Sequence, residues 1–329
     1  MKNIAVIFNG GTISMKIDRE LKAAVPSMSG DEMMSMISGT SLEVNIESYT
    51  FSSLPSPHVT PKLMFELSKL ISELVNREDI DGVVVTHGTD TLEETCYMIN
   101  LTVSTDKPIV FTGSMRNGSE LGYDGPSNLA DSIRAAASKE ARGRGVLVCF
   151  NGNLNSASEV TKANSMVLNA FRTPTFGPIG IVDDEKVLFY REENREKSLR
   201  LESINKEVAI IKCAAGMDSK FIDYAISLGY QGIVIEALGR GNVPPTRVPG
   251  IENALNKGIP VVLTSRCYEG RVCDSYGYLG GGKQLKNLGV IFAENLPSQK
   301  ARIKLIVLLS ANKDRAYIRH SFEKDRYSV

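Results

Sequence analysis

Short apolar runs rich in β-branched residues recur along the chain, at residues 4–8, 82–86, 109–112, 146–150, 208–213, 233–237 and 260–264. Each is bounded by Gly, Pro or polar residues, and none alternates apolar with polar. Continuous runs of this length predict strands buried on both faces, as in a parallel sheet. Helical periodicity lies between them. Residues 61–76 place Leu63, Phe65, Leu67, Leu70, Ile71, Leu74 and Val75 on a helical repeat, with Thr60 as the N-cap. Residues 129–139 and 219–228 are similar. Strands alternating with helices predict an α/β protein. The expected architecture is a larger N-terminal domain with a mainly parallel sheet flanked by helices, and a smaller C-terminal α/β domain with its own parallel sheet.

The pattern breaks near residue 190. Residues 191–198 read REENREKS and hold no aliphatic side chain. Such a charged run suits a solvated linker. The expected division is therefore an N-terminal domain over 1–189, a linker over 190–206 and a C-terminal domain over 207–329. At 329 residues the chain has the length of two ordinary domains.

Charge and cysteine content narrow the function classes. Lys+Arg and Asp+Glu are both 38, so the basic excess of a dedicated nucleic-acid surface is missing. No apolar run approaches the ~18 residues that span a bilayer. The N-terminal MKNIAVIFNGG has a short apolar stretch that ends at Asn9-Gly10-Gly11, so it reads as a first strand rather than a signal peptide. The expectation is a cytoplasmic protein that binds neither nucleic acid nor membrane. Its five cysteines, an odd number scattered widely, suit a reducing compartment. Cys267 and Cys273 are the close pair, but no second pair or histidine completes a zinc site, and packing is the favoured reading.

In open α/β sheets ligands bind beyond the carboxyl ends of the strands. Those ends read Asn9-Gly10-Gly11-Thr12-Ile13-Ser14, Thr86-His87-Gly88-Thr89-Asp90-Thr91 and Thr112-Gly113-Ser114-Met115-Arg116. Glycines let the backbone turn sharply and approach a ligand, while the hydroxyls offer nucleophiles and hydrogen bonds. Gly10-Gly11-Thr12 by itself leaves two readings open, a nucleophile loop or a turn with a threonine cap. The His-Gly-Thr-Asp-Thr run is denser in polar groups than a turn requires. There is no G-x-G-x-x-G after the first strand, no Walker A sequence and no G-x-S-x-G elbow. Nothing calls for a metal, a nucleotide or another cofactor. His58, His87 and His320 are assigned no catalytic part. His87 is expected to orient its strand end by hydrogen bonding.

Taken together, these segments resemble the bacterial L-asparaginase family. Gly10-Gly11-Thr12-Ile13 and the run VVVTHGTDTLEET from Val83 to Thr95 are similar to its two signature motifs. Residues 107–116, 124–129, 144–148, 160–162, 229–235 and 298–302 follow in family order, so the resemblance covers nearly the whole chain. It implies an amidohydrolase that converts asparagine to aspartate and ammonia by double displacement through a threonine acyl-enzyme. Matched positions make Thr12 the first nucleophile candidate and join Thr89, Asp90 and Lys162 in a second constellation. Without the motif, Lys162 would read as a surface lysine on a helix. Asp90 would hold the substrate ammonium, coupled to Lys162. Ser56 aligns with a serine that binds the α-carboxylate. Gly11, Gly88 and Ser114 would line the pocket, with backbone N–H groups near Thr89 and Ser114 facing the oxyanion. The small-molecule substrate would be asparagine or a similar compound. The resemblance further implies a homo-oligomer, dimer or tetramer, with the site between subunits. Asn242 is either a residue reaching across that interface or a polar turn residue.

Three departures stand out. Asn9 replaces the small residue or threonine usual before the first glycine. Residues 14–30 contain no tyrosine, and Ala24-Val25-Pro26 occupies the place where many members carry the one that activates the threonine. Gly280-Gly281-Gly282-Lys283 lacks the carboxylate that secreted members supply from a neighbouring protomer. These leave a glutaminase, another small-amide hydrolase and a non-catalytic amino-acid-binding homologue as alternatives. The tRNA-dependent amidotransferases of the superfamily carry an extra N-terminal domain, and a first motif beginning at residue 9 speaks against them.

Overall fold

Ile4 to Ile7 are wholly inaccessible, as an apolar run without polar alternation requires. They form the centre of strand β1 (Lys2–Asn9), an inner strand of a large sheet. The computed structural model describes residues 1–192 and 196–324. The chain divides into two units, Met1–Ser198 and Leu199–Val329. That division falls within the linker segment 190–206, of which residues 193–195 lie outside the described residues.

In the first unit a small antiparallel hairpin, β2 (Met15–Asp18) and β3 (Ala23–Pro26), follows β1. A short helix α1 (Gly30–Ser35) leads to β4 (Val44–Ser52). Then α2 (Pro61–Asn76), β5 (Gly82–His87), α3 (Leu92–Thr102), β6 (Ile109–Thr112), α4 (Gly125–Ala137) and β7 (Val146–Phe150) alternate. The unit continues with β8 (Asn153–Ser156), the two-residue strands β9 (Thr161–Lys162) and β10 (Phe171–Arg172), and the hairpin of β11 (Gly180–Asp183) and β12 (Lys186–Phe189). The main sheet has the order β12-β11-β8-β7-β6-β5-β1-β4. It is parallel from β4 to β7 and antiparallel beyond. Ile4, Val6 and Phe8 share one buried cluster with Leu129, Ala130 and Ile133 of α4. Side chains alternate along a strand, so Ala5 and Ile7 point to the opposite face of the sheet; α2 packs on β5 and α3 on β6 and β7. Thr60 caps α2 as expected, accepting a hydrogen bond from Leu63 N at 3.3 Å.

The second unit holds β13 (Val208–Lys212), α5 (Lys220–Ser227), β14 (Gly232–Ala237), α6 (Val248–Asn256), β15 (Val261–Ser265), α7 (Gly282–Leu288), β16 (Ile291–Phe292), α8 (Ser298–Ser310) and α9 (Arg315–Glu323). Its sheet runs β13-β14-β15-β16, with every pair parallel. The isoleucines of β14 pack with Ile222 of α5 and Ile251 of α6 in one core. Cys267 is exposed and Cys273 half-buried beside Ser275, so packing does not account for Cys267.

Candidate active site

The loops at the carboxyl ends of β1, β5 and β6 lie side by side, because β1 pairs in parallel with β5 and β5 with β6. Asn9 stands opposite His87, and Thr86 opposite Thr112. Gly10 and Gly11 have φ of 65° and 88°, a region costly for any side chain. A Cβ on Gly11 would overlap the backbone of Gly88. The two loops thus touch glycine to glycine, and each presents a threonine at the following position: Thr12 at the start of a 3-10 turn, Thr89 almost fully buried.

Lys162 joins them from distant sequence. It lies on β9, not on a surface helix, and its side chain is 17% exposed. Its Nζ donates to Thr89 Oγ1 at 2.9 Å and to Asp90 Oδ1 at 2.6 Å. The Asp90 carboxylate remains 60% exposed, open to a cationic group from outside. Ser56 completes this side. Its Oγ accepts from Asp90 N at 3.1 Å, and its carbonyl accepts from the Thr91 hydroxyl at 2.8 Å. Ser114 is buried, and its hydroxyl donates to Arg116 O at 2.7 Å, so that hydroxyl faces its own loop. Thr12 is half-buried, and no side chain among the described residues hydrogen-bonds its hydroxyl. Ala24 to Pro26, where the sequence lacks a tyrosine, form strand β3. Asn242 lies in the second unit. Its Oδ1 accepts from Gly282 N at 3.2 Å, and its backbone pairs with Leu238.

Two further groups hold this architecture. Asn9 sits where the register of β1 against β4 shifts, and its Oδ1 accepts from Ser52 Oγ at 2.6 Å, fixing the loop from below. His87 is wholly buried. Its Nδ1 lies 2.8 Å from Gly88 O, an atom that only accepts, so Nδ1 carries the proton and Nε2 faces the Thr95 hydroxyl at 2.9 Å. Burial pushes the imidazole pKa from 6.5 down to about 4, against the pull of the Gly88 carbonyl. Orienting the strand end by hydrogen bonding is the part expected of it from the sequence; its neutrality comes from burial in the fold.

Sequence reasoning assigned no part to Glu93, Thr161 or Tyr123. Glu93 is buried, and its Oε1 accepts from Thr161 Oγ1 at 3.2 Å and Lys162 N at 3.3 Å. The Tyr123 hydroxyl donates to Ile13 O at 2.5 Å. Glu93 stands inside the second motif, but an acidic residue in a first helical turn ordinarily reads as a partner of the helix dipole.

A hydroxyl held on a lysine at the end of a parallel sheet, beside a carboxylate and a serine, is an arrangement for acyl transfer. Comparison with known proteins gives the chain a family. The asparaginase N-terminal model matches residues 3–195, and the glutaminase/asparaginase C-terminal domain model matches 207–322. An L-asparaginase of Bacillus licheniformis is 38% identical, over 95% of this chain and 97% of its own. A glutaminase-asparaginase of Pseudomonas fluorescens is 28% identical, over 98% of this chain and 90% of its own. The crystal structure of a probable cytoplasmic L-asparaginase from Campylobacter jejuni superposes with a TM-score of 0.88 at 31% identity, covering 98% of this chain and 99% of that one. The chain belongs to the asparaginase family, whose chemistry is hydrolysis of amide C–N bonds.

Proposed function

We propose that this protein hydrolyses L-asparagine to L-aspartate and ammonia through a threonine ester. The observation that carries this reading is the Thr89–Lys162–Asp90 contact set, supported by full-length likeness to L-asparaginases. A threonine oxygen attacks the side-chain amide carbon, the C–N bond breaks, and ammonia leaves with the proton that the hydroxyl gave up. Water then attacks the ester, releases aspartate and restores the hydroxyl. Lys162 Nζ, within hydrogen-bond reach of Thr89 Oγ1, is the group placed to pass these protons, and Asp90 Oδ1 holds that nitrogen in position. Asp90 takes the substrate ammonium and Ser56 the α-carboxylate, with Gly11 and Gly88 letting the two loops close on each other beside the substrate and Ser114 closing the pocket wall. Thr12, the first nucleophile candidate of the family match, and Thr89 are the two hydroxyls from which the attacking oxygen comes. The working form is a cytoplasmic homo-oligomer, a compartment that unpaired cysteines favour.

Ammonia release from L-asparagine, L-glutamine and their D-forms tests this, with Thr12→Ala and Thr89→Ala alongside. Turnover of L-asparagine that falls about a hundredfold or more in either variant supports the threonine ester. Faster turnover of L-glutamine would make it a glutaminase. Binding of asparagine without turnover of any amide would make it an amino-acid-binding homologue, a reading favoured by a Thr12 hydroxyl that has no side-chain partner among the described residues.

A further inference from the structure

Lys162 reaches Thr89 from a strand only two residues long, which is a poor platform for a catalytic side chain. Two-residue pairing with β10 fixes little by itself, so something else must hold the strand. On one side Phe171, the register partner of Lys162, stacks on Phe150 of the main sheet at 4.4 Å between ring centroids. On the other side Glu93 of α3 takes both Thr161 Oγ1 and Lys162 N on a single carboxylate oxygen. Glu93 is 5% exposed. Its other oxygen, Oε2, is buried with no hydrogen-bond partner among the described residues. One oxygen therefore makes the whole tie, so its reach rather than the second oxygen decides where Thr161 and Lys162 sit.

We infer that Glu93 is a positioning residue: through Oε1 it clamps Thr161 and Lys162 to the first turn of α3 and thereby sets Lys162 Nζ on the Thr89 hydroxyl. The geometry closes a short loop of connections. Thr89 and Asp90 immediately precede α3, Glu93 is in its first turn, and Lys162 contacts both ends of that segment. Movement of β9 away from α3 would therefore lengthen the Lys162–Thr89 contact directly. Glu93 touches no reacting atom, and its effect should fall on kcat rather than on substrate affinity. The inference rests on the reading of Lys162 as the proton-moving group.

The test separates reach from charge. Glu93→Gln keeps an oxygen at the same reach without the charge, and Glu93→Asp keeps the charge but withdraws it by one methylene. Steady-state ammonia release should show kcat of Glu93→Gln within about threefold of wild type and kcat of Glu93→Asp lower by about ten- to a hundredfold, as small misplacements near the chemistry produce. KM for asparagine should stay within about twofold in both, because no binding contact changes. Lys162→Met is run beside them. If it retains wild-type kcat, the reading of Lys162 fails. If it is inactive while Glu93→Asp turns over like wild type, the clamp alone is wrong. A charge-dependent role would show as the reverse order, with Asp active and Gln inactive, and would also overturn the clamp. Should Glu93→Asp not fold, Thr161→Val removes one of the two bonds; an unchanged kcat there, or an inactive Glu93→Gln, overturns the proposal.

Discussion

Tyr123 donates its hydroxyl to the carbonyl of Ile13, the residue after Thr12, and its ring packs against the core cluster that contains Ile13. Burial, with the nearby Asp124 carboxylate, raises the phenol pKa above its ordinary value, so the group works as a hydrogen-bond donor. It supports the Thr12 turn from below and does not take the place of the tyrosine missing from residues 14–30. Tyr123→Phe should lower kcat for asparagine by about three- to tenfold and unfolding stability by about 1 kcal/mol, the usual worth of one such bond; unchanged kcat would remove Tyr123 from the argument. His87 carries a second prediction at this scale. Its pKa is about 4 in the fold and near 6.5 when exposed. Above pH 6.5 both forms are neutral and no difference arises. As pH falls toward 4, the unfolded chain takes up a proton that the folded chain refuses, and about 3 kcal/mol of stability is lost by pH 4. Urea midpoints from pH 7 to pH 4 should therefore fall more steeply in wild type than in His87→Asn, and parallel curves would contradict the buried neutral imidazole.

Between elements, the closest approach in the site is glycine on glycine. A methyl on Gly88 would meet Ser56 Cβ at 2.7 Å and Oγ at 2.8 Å, whereas a methyl on Gly11 would meet only backbone. The two substitutions should differ. Gly88→Ala carries no positive-φ strain, but it pushes on Ser56 Cβ, which rotation cannot move, and on Gly11 Cα at 3.1 Å, so it should fold with a modestly lower Tm and show a KM for asparagine raised about tenfold or more through the displaced Ser56. Gly11→Ala must distort the β1 and β5 loops themselves at positive φ, and it should be recovered poorly or with a markedly lower Tm. Steady-state kinetics and thermal melts of the pair check this, and equal behaviour would mean that Ser56 is not the point of contact. The inner strands and α2 were legible because burial on both faces and a 3.6-residue repeat leave direct marks on sequence. The edge strand β4 was missed because VNIESYTFS mixes buried and exposed positions, and the hairpin β2–β3 because its four-residue strands are largely exposed. Helices α3 and α8 are buried nearly all round, so no apolar stripe announced them. Within the site, Thr89, Asp90 and Ser56 could be located from strand ends and motif. The Lys162 contact spans 73 residues and was reachable only through the family resemblance, while Glu93 bonds Thr161 across 68, a proximity that only the fold creates.

At the scale of the whole molecule, the question is what a second copy would add. The formal charge is zero, with 38 residues of each sign, so copies meet without long-range repulsion. Phe221, Tyr224 and Leu228 on and just after α5 are 61%, 63% and 55% exposed at helical spacing, an apolar stripe that a lone chain leaves in water. Light scattering after gel filtration should therefore give two or four times the mass of one chain. Asn242 sharpens the test. Its Oδ1 is committed to Gly282 N within its own unit, which leaves the amide Nδ2 as the end able to reach another copy. Asn242→Ala should cost about 1 kcal/mol of stability by releasing Gly282. If a neighbouring copy also uses the amide, KM for asparagine rises while the assembly mass stays unchanged. The specific activity of wild type should fall on dilution to the concentration where the assembly dissociates. A monomer by mass that turns over asparagine at undiminished rate would show that one chain holds the complete site, and Asn242 would then be a turn residue only.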